Sequence, residues 1–117
     1  MTERRARYST GREQDLVNAI IDLITLRGGV AIRVNSGMVP IDNGNGTRRV
    51  LRGAPAGTAD IIACYHGRFV AIECKVGRNK PTALQTDFLE RVGMAEGLAM
   101  VAYDVQAVID VLGLEAK

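Results

Sequence analysis

The sequence contains no tryptophan, and aromatic residues make up only 4% of its 117 positions. The hydrophobic core must therefore be built from valine, isoleucine, leucine and alanine. No apolar run approaches the roughly 20 residues that a membrane-spanning helix needs. The basic start of the chain, MTERRARYST, is not followed by the apolar stretch of a secretory signal. These absences predict a cytoplasmic protein of one domain with no membrane partner.

Cysteine is also scarce, and the two cysteines, Cys64 and Cys74, are too few for a zinc site. Both fall within apolar runs that are typical of strands. We therefore expect two buried free thiols in a reducing compartment.

Charge is unevenly distributed along the chain, although the net charge is only +2. Residues 1–58 contain nine arginines against five acidic residues, and arginine outnumbers lysine by twelve to three over the whole chain. The planar guanidinium group suits bidentate contact with phosphate. The alternative is that these arginines only form a solvated surface.

The pattern of apolar residues and turns predicts an α/β domain over residues 10–117, preceded by a flexible basic arm over residues 1–9. The order is helix, strand, two hairpins, helix, strand, helix, which indicates a mixed β-sheet flanked by helices. The predicted helices span 10–26, 81–95 and 105–112, the last capped by Asp104, and the predicted strands span 30–35, 38–41, 48–52, 60–65, 68–76 and 98–103.

Two charged residues lie within the most apolar predicted strand. Side chains alternate along a strand, so Glu73 and Lys75 point to one side, while Val70, Ile72 and Cys74 point to the other. A cross-strand ion pair would explain Glu73 and Lys75 without any function. Asp60 favours a site, because a hairpin brings it near Glu73 and two carboxylates suit Mg²⁺.

Two further polar residues are candidates on predicted helices. Glu13 shares the inward stripe of Val17 and Ile20, although it could serve only as the capping-box partner of Thr10. Gln85 precedes the inward-facing Leu89 by one helical turn. Its amide could hold a water or a phosphate, or lie at the edge of the packing.

These residues, in this order, resemble the PD-(D/E)xK nuclease superfamily, and are most similar to the small stand-alone VRR-NUC domains of phages and bacteria. The resemblance covers about residues 10–112 and runs through Glu13, then Gly57-Thr58-Ala59-Asp60, then Glu73-Cys74-Lys75, then Gln85. One departure is Ala59, where the family usually has proline. The resemblance implies a restriction-endonuclease-like fold and a catalytic set of Glu13, Asp60, Glu73, Lys75 and Gln85. It implies that Asp60, Glu73 and Glu13 surround Mg²⁺ or Mn²⁺.

The function that follows is a magnesium-dependent endonuclease that hydrolyses DNA phosphodiester bonds, with branched or Holliday-junction DNA as the substrate that the resemblance implies. It also implies a homodimer, for which the hairpin over residues 38–52 is the favoured interface. The alternatives are a non-catalytic DNA-binding module of the same fold and a simple nicking nuclease without junction preference. The candidate DNA-binding residues are Arg33, Asn35, Ser36, Arg48, Arg49 and Arg52.

Overall fold

The computed structural model of the chain describes residues 2–114, with side chains for residues 12–38 and 40–114. The order of its helices and strands is the predicted one. The helices are α1 (Thr2–Leu26), α2 (Ala83–Met94) and α3 (Val105–Leu112), and the strands are β1 (Val30–Arg33), β2 (Met38–Asp42), β3 (Arg48–Arg52), β4 (Ile61–Tyr65), β5 (Arg68–Cys74) and β6 (Leu98–Ala102). Over the described range, none of the helices is long and apolar enough to cross a membrane.

Four strands form the main sheet in the order β1, β4, β5, β6. The first three pair antiparallel, and β6 pairs parallel to β5. The sheet is therefore mixed, as predicted. Because β5 is an inner strand with a helix layer on each side, its sequence is apolar nearly throughout, and five of its seven residues are buried.

Helices cover both faces of the main sheet. On one face, α1 and α3 pack against the side chains of Val70, Ile72 and Cys74. On the other face, α2 packs through Val92 against Ala71. The alternation predicted for β5 is thus confirmed, and it places Glu73 on the face that also carries Ala71.

Strands β2 and β3 form a separate two-stranded sheet, here named the ribbon (residues 38–52). The predicted hairpin pairing is confirmed, with Met38 opposite Arg52 and Asp42 opposite Arg48. The ribbon contacts no other helix or strand among the described residues. Backbone hydrogen bonds fix its root, because Gly37 N–H donates to the Ala54 carbonyl and Gly53 N–H donates to the Gly37 carbonyl.

Helix α1 begins at Thr2 and not at the predicted Thr10. Residues 3–9 contain glutamate, alanine and arginine but no glycine or proline, so their helix propensity extends the helix through the predicted arm. The side chains of this segment, and residues 115–117, lie outside the described part of the chain. Thr10 and Glu13 therefore lie inside a helix, where a capping box cannot form.

Smaller differences occur at other element ends. Helix α2 begins at Ala83, after Pro81, because the Thr82 hydroxyl caps it. The strands β1 and β5 end at Arg33 and Cys74, two residues earlier than predicted in each case. The predicted burial of Cys64 is wrong: this thiol is exposed, whereas Cys74 is buried, and both are free.

Candidate active site

Asp60 is fixed between two strands at the point where β4 begins. Its carbonyl oxygen accepts a hydrogen bond of 2.8 Å from Val34 N–H, at the end of β1. Its Oδ2 atom accepts one of 2.9 Å from Cys74 N–H on β5. Ile61 pairs with Ile72, so continuing this register by one residue places Asp60 opposite Glu73. The predicted approach of these two carboxylates is therefore a consequence of the β4–β5 pairing.

Glu73 is the only charged residue in the buried core of the described chain, with 2% of its surface exposed. Its Oε2 atom lies 3.5 Å from Nζ of Lys75, which is itself largely buried. Lys75 follows β5 and is held by a hydrogen bond from its N–H to the Ala102 carbonyl. The other oxygen, Oε1, is buried and has no hydrogen-bond partner among the described residues. A buried carboxylate oxygen without a partner is costly, and a ligand that contacts it would remove that cost.

Acidic and basic groups meet around Glu73. Burial, and after it the neighbouring Asp60, raise the pKa of Glu73 to about 7 against the opposing effect of Lys75. Burial also raises the pKa of the Cys74 thiol to about 12, helped by Asp60, Glu73 and Glu13. Negative charge thus collects where β4 and β5 meet, and Lys75 and Arg33 oppose it. A bound cation would stabilise the ionised carboxylates further.

Glu13 borders a cavity of about 160 Å³ beside Asp60. The cavity is lined by Glu13, Gln14, Val17, Arg33, Val34, Asn35 and Asp60. The structure thus brings Glu13 together with two of the predicted DNA-binding residues, Arg33 and Asn35. Arg33 is oriented from α1, because its Nη2 atom donates a hydrogen bond of 2.8 Å to Asn18 Oδ1.

The three predicted metal ligands do not form one cluster. Within the described residues no group of three or more His, Cys, Asp or Glu side chains could hold a metal ion. The sheet explains this, since Glu13 belongs to α1 on one face, whereas Glu73 lies on the α2 face. Asp60 and Glu73 remain a carboxylate pair, and Mg²⁺ needs only one or two protein carboxylates when waters and phosphate complete its shell. The pair and the unpartnered Oε1 atom fit such an ion.

Gln85 serves first as a helix cap. Its side-chain oxygen accepts a hydrogen bond of 2.8 Å from Thr82 N–H, and its own N–H donates to the Thr82 hydroxyl at 3.3 Å. This reciprocal capping box fixes the start of α2. Only the amide NH₂ group of Gln85 is left for a contact with water or phosphate.

The loop before Asp60 packs closely against the start of α2. Gly57 has φ +91°, and a Cβ atom there would lie 2.6 Å from the Leu84 carbonyl oxygen. Both the positive φ and the close approach of the Leu84 carbonyl require glycine at this position. Ala59, which stands where the resembling family has proline, is fully buried beside Ala71 and Val92. The approach to Asp60 is therefore held by close packing, without the proline.

The remaining predicted residues lie on the ribbon or at its root. Ser36 is exposed and forms a bridge with Ala54 at the root of the ribbon. Arg48, Arg49 and Arg52 lie on β3, where every residue is exposed.

Sequence reasoning missed two residues on α1. Gln14 lines the cavity, and Asn18 orients Arg33. Their spacing of four residues places them on one side of the helix, next to Glu13 and Val17, and this pattern could have identified them. The chemistry of the site is interpreted from its own residues, since neither a protein-family model nor a curated protein sequence matches the chain.

Proposed function

We propose that this protein is a metal-dependent deoxyribonuclease whose active site is formed by Asp60, Glu73 and Lys75. One observation carries the proposal: Glu73 is a buried carboxylate with an unpartnered oxygen, set opposite Asp60 and 3.5 Å from Lys75. A buried carboxylate is stable in a core only when its charge is compensated, and Glu73 has Lys75 on one side alone. A metal ion held by Asp60 and Glu73 would supply the rest of that compensation.

Each residue has a distinct role in this proposal. Asp60 and Glu73 would hold Mg²⁺ or Mn²⁺ through their carboxylate oxygens. Such an ion polarises the phosphate and lowers the pKa of a bound water. Lys75 orients the attacking water and offsets the negative charge that develops on the phosphate. The attacking water gives one proton to solvent and forms a bond to phosphorus, the bond to the leaving oxygen breaks, and that oxygen takes a proton from solvent.

Other residues support the site from the cavity side. Glu13 lines the same cavity as Asp60 and would add negative charge that helps to hold the metal ion. Arg33 and Asn35 line the same cavity and would contact the DNA backbone. Gln85 offers its amide NH₂ group from the start of α2.

The test is cleavage of supercoiled plasmid by purified protein with Mg²⁺, Mn²⁺ or EDTA. Wild type should nick or linearise the plasmid with metal and not with EDTA. Glu73→Gln should be inactive, and Glu90→Gln, which changes an exposed glutamate on α2 in the same way, should cut like wild type. Equal cleavage by wild type and Glu73→Gln would refute the proposed site.

The finer assignment is to the VRR-NUC group of the PD-(D/E)xK superfamily, with its restriction-endonuclease-like fold, acting in the cytoplasm on branched or Holliday-junction DNA. The mixed sheet flanked by helices and the order of the site residues support it. Resolution of a junction needs paired cuts, and one chain offers a single site, so a two-fold homodimer is proposed with it. Cleavage of matched duplex, flap, single-strand and four-way substrates tests the preference. Light scattering at micromolar concentration tests the dimer, and a monomer would leave simple nicking as the activity.

A non-catalytic DNA-binding module is the second candidate, and one observation favours it. All five residues of β3 are exposed, and three of them are arginines, which form a basic surface that does not depend on the carboxylate pair. Such a module would bind DNA without cutting it, and calorimetry would detect no Mn²⁺ binding at Asp60 and Glu73.

A further inference from the structure

The ribbon carries three arginines together with the exposed apolar residues Met38, Val50 and Leu51. All five residues of β3 are exposed, and the ribbon touches no other helix or strand in the described chain. An isolated two-stranded hairpin is only marginally stable in water. A partner that covers the ribbon would therefore stabilise it.

The strand geometry sorts the arginines of β3 between two faces. Arg48 and Arg52 are four residues apart and share a face with Val50, whereas Arg49 points to the other side. None of the three takes part in a salt bridge within the described residues. The nearest acid, Asp42, is opposite Arg48 but accepts a hydrogen bond from Gly44 N–H in the turn.

This charge pattern selects the class of partner. Two copies of the ribbon packed together would bring six arginines close, with two aspartates to offset them, and like charges placed opposite each other are destabilising. A polyanion is favoured instead. The ribbon is thus a poorer dimer arm than the sequence suggested, and a better surface for nucleic acid.

The root of the ribbon adjoins the proposed active site. Asn35 lines the cavity beside Asp60, and its carbonyl accepts a hydrogen bond of 2.9 Å from Ala54 N–H at the root. From there β2 extends about 17 Å, at about 3.4 Å per residue. DNA bound at Asp60 would therefore meet the ribbon within about five base pairs of the scissile phosphate, at 3.4 Å per nucleotide along a strand.

We propose that the ribbon binds the major groove of duplex DNA beside the cleavage site, through its Arg48–Arg52 face. These arginines are about 14 Å apart along the strand, close to the roughly 12 Å width of the major groove of B-form DNA. The two guanidinium groups can therefore contact the two backbones that border one groove, with Val50 over the groove between them. This inference rests on the proposed function, since it takes DNA as the substrate.

The test measures metal-free binding to a 24-base-pair duplex by fluorescence anisotropy over a range of salt concentrations. Arg48→Ala and Arg52→Ala should each flatten the slope of log K against log salt by about 0.9, the value for one phosphate contact. Arg49→Ala should leave the slope unchanged. Arg68→Ala is the matched control, because it removes an exposed arginine at the end of β5 that lies away from Glu73. Equal effects of all four substitutions would overturn the proposal.

An RNA duplex of the same sequence gives a second measurement. The major groove of A-form RNA is too deep and narrow for side chains to enter. Arg48→Ala and Arg52→Ala should therefore change binding to RNA no more than Arg49→Ala does. Light scattering of the variants completes the design: a dimer that dissociates on Arg48→Ala or Arg52→Ala would identify the ribbon as a protein interface and overturn the proposal.

Failure of this inference and failure of the proposed function give different results. A wild-type protein that shows these slopes but does not cut DNA would refute the nuclease and leave the ribbon assignment intact. A protein that cuts DNA with unchanged slopes in the variants would refute only the ribbon assignment.

Discussion

The amide nitrogen of Cys74 lies 2.9 Å from Asp60 Oδ2, so the strand that carries Glu73 also orients the second carboxylate of the proposed site. One peptide group thus couples the two acids. Because the bond joins β4 and β5 at their common end, the carboxylates are held in place by the sheet before any ligand arrives. Such preorganisation reduces the reorganisation that metal and substrate binding would otherwise require.

We expect Lys75→Ala to abolish cleavage while the fold and most of the DNA affinity are retained. The lysine lies beyond the end of β5 and contributes a charge beside Glu73, not a side chain to the apolar core. Plasmid cleavage under Mg²⁺, with circular dichroism of the same samples, checks this. Lys80→Ala removes an exposed lysine from the neighbouring loop and should behave as wild type. Wild-type turnover by Lys75→Ala would remove Lys75 from the site.

Asp60→Asn and Glu73→Gln should each weaken Mn²⁺ binding by at least tenfold, since a neutral amide lacks the charge that holds a hard cation. Titration calorimetry on the purified variants measures this directly. Glu90→Gln is the matched control and should bind as wild type does. Unchanged binding in both site variants would place the metal elsewhere.

The stability of the metal-free protein should depend on pH through Glu73. Burial and Asp60 raise the pKa of this carboxyl from its ordinary value near 4.5 to about 7. The folded state therefore holds the proton more tightly than the unfolded state does, so the contribution to stability is full below about pH 4.5 and is lost as the pH rises through 7. The loss is on the order of 3 kcal/mol, at about 1.4 kcal/mol per pKa unit.

Denaturant unfolding in EDTA between pH 4 and 8 checks this expectation. Glu73→Gln, which cannot ionise, should lose that part of the pH dependence and be more stable than wild type at pH 8. Glu90→Gln should keep the wild-type profile. The same decline in Glu73→Gln as in wild type would show that another group causes it.

Gly57→Ala should destabilise the protein more than Gly44→Ala does. Both glycines have positive φ, which costs about 1–2 kcal/mol for an alanine. Only at Gly57 would the added Cβ meet backbone, 2.6 Å from the Leu84 carbonyl, whereas Gly44 has nothing within 4 Å. The clash should add about 1–3 kcal/mol, measured by urea unfolding. Equal losses of unfolding free energy in the two variants would mean that the loop before Asp60 shifts to accommodate the added Cβ atom.

The sequence was sufficient for the features that depend on local patterns. Alternation along β5 identified Val70, Ile72 and Cys74 as core residues and placed Glu73 and Lys75 on the other side of the strand. The His66-Gly67 turn predicted the β4–β5 pairing that brings Asp60 to Glu73. The hairpin of the ribbon and the Asp104 cap of α3 were also predicted from local signals.

Features that depend on which surfaces are covered were not predictable in this way. Cys64 lies in an apolar strand, but α2 packs on β5 and β6 and leaves the neighbouring β1–β4 surface open, so the thiol is exposed together with Val30 and Ile32. Similarly, no periodicity could show that the sheet separates Glu13 from Glu73. The oxygen of Gln85 accepts a hydrogen bond because Thr82 is the N-cap of α2, which begins at Ala83 and not at Pro81.

The closed root of the ribbon bears on how the chain folds. Strands β1 and β4 are neighbours in the sheet although the ribbon lies between them in sequence. A hairpin forms within about 1–10 μs, and its root hydrogen bonds at Gly37 and Gly53 then hold the two ends of the segment together. The remaining connection is short, so pairing β1 with β4 costs less loop-closure entropy than the sequence separation implies. A ribbon that closes first would bring Arg33 and Asp60 within reach of each other before the sheet is complete.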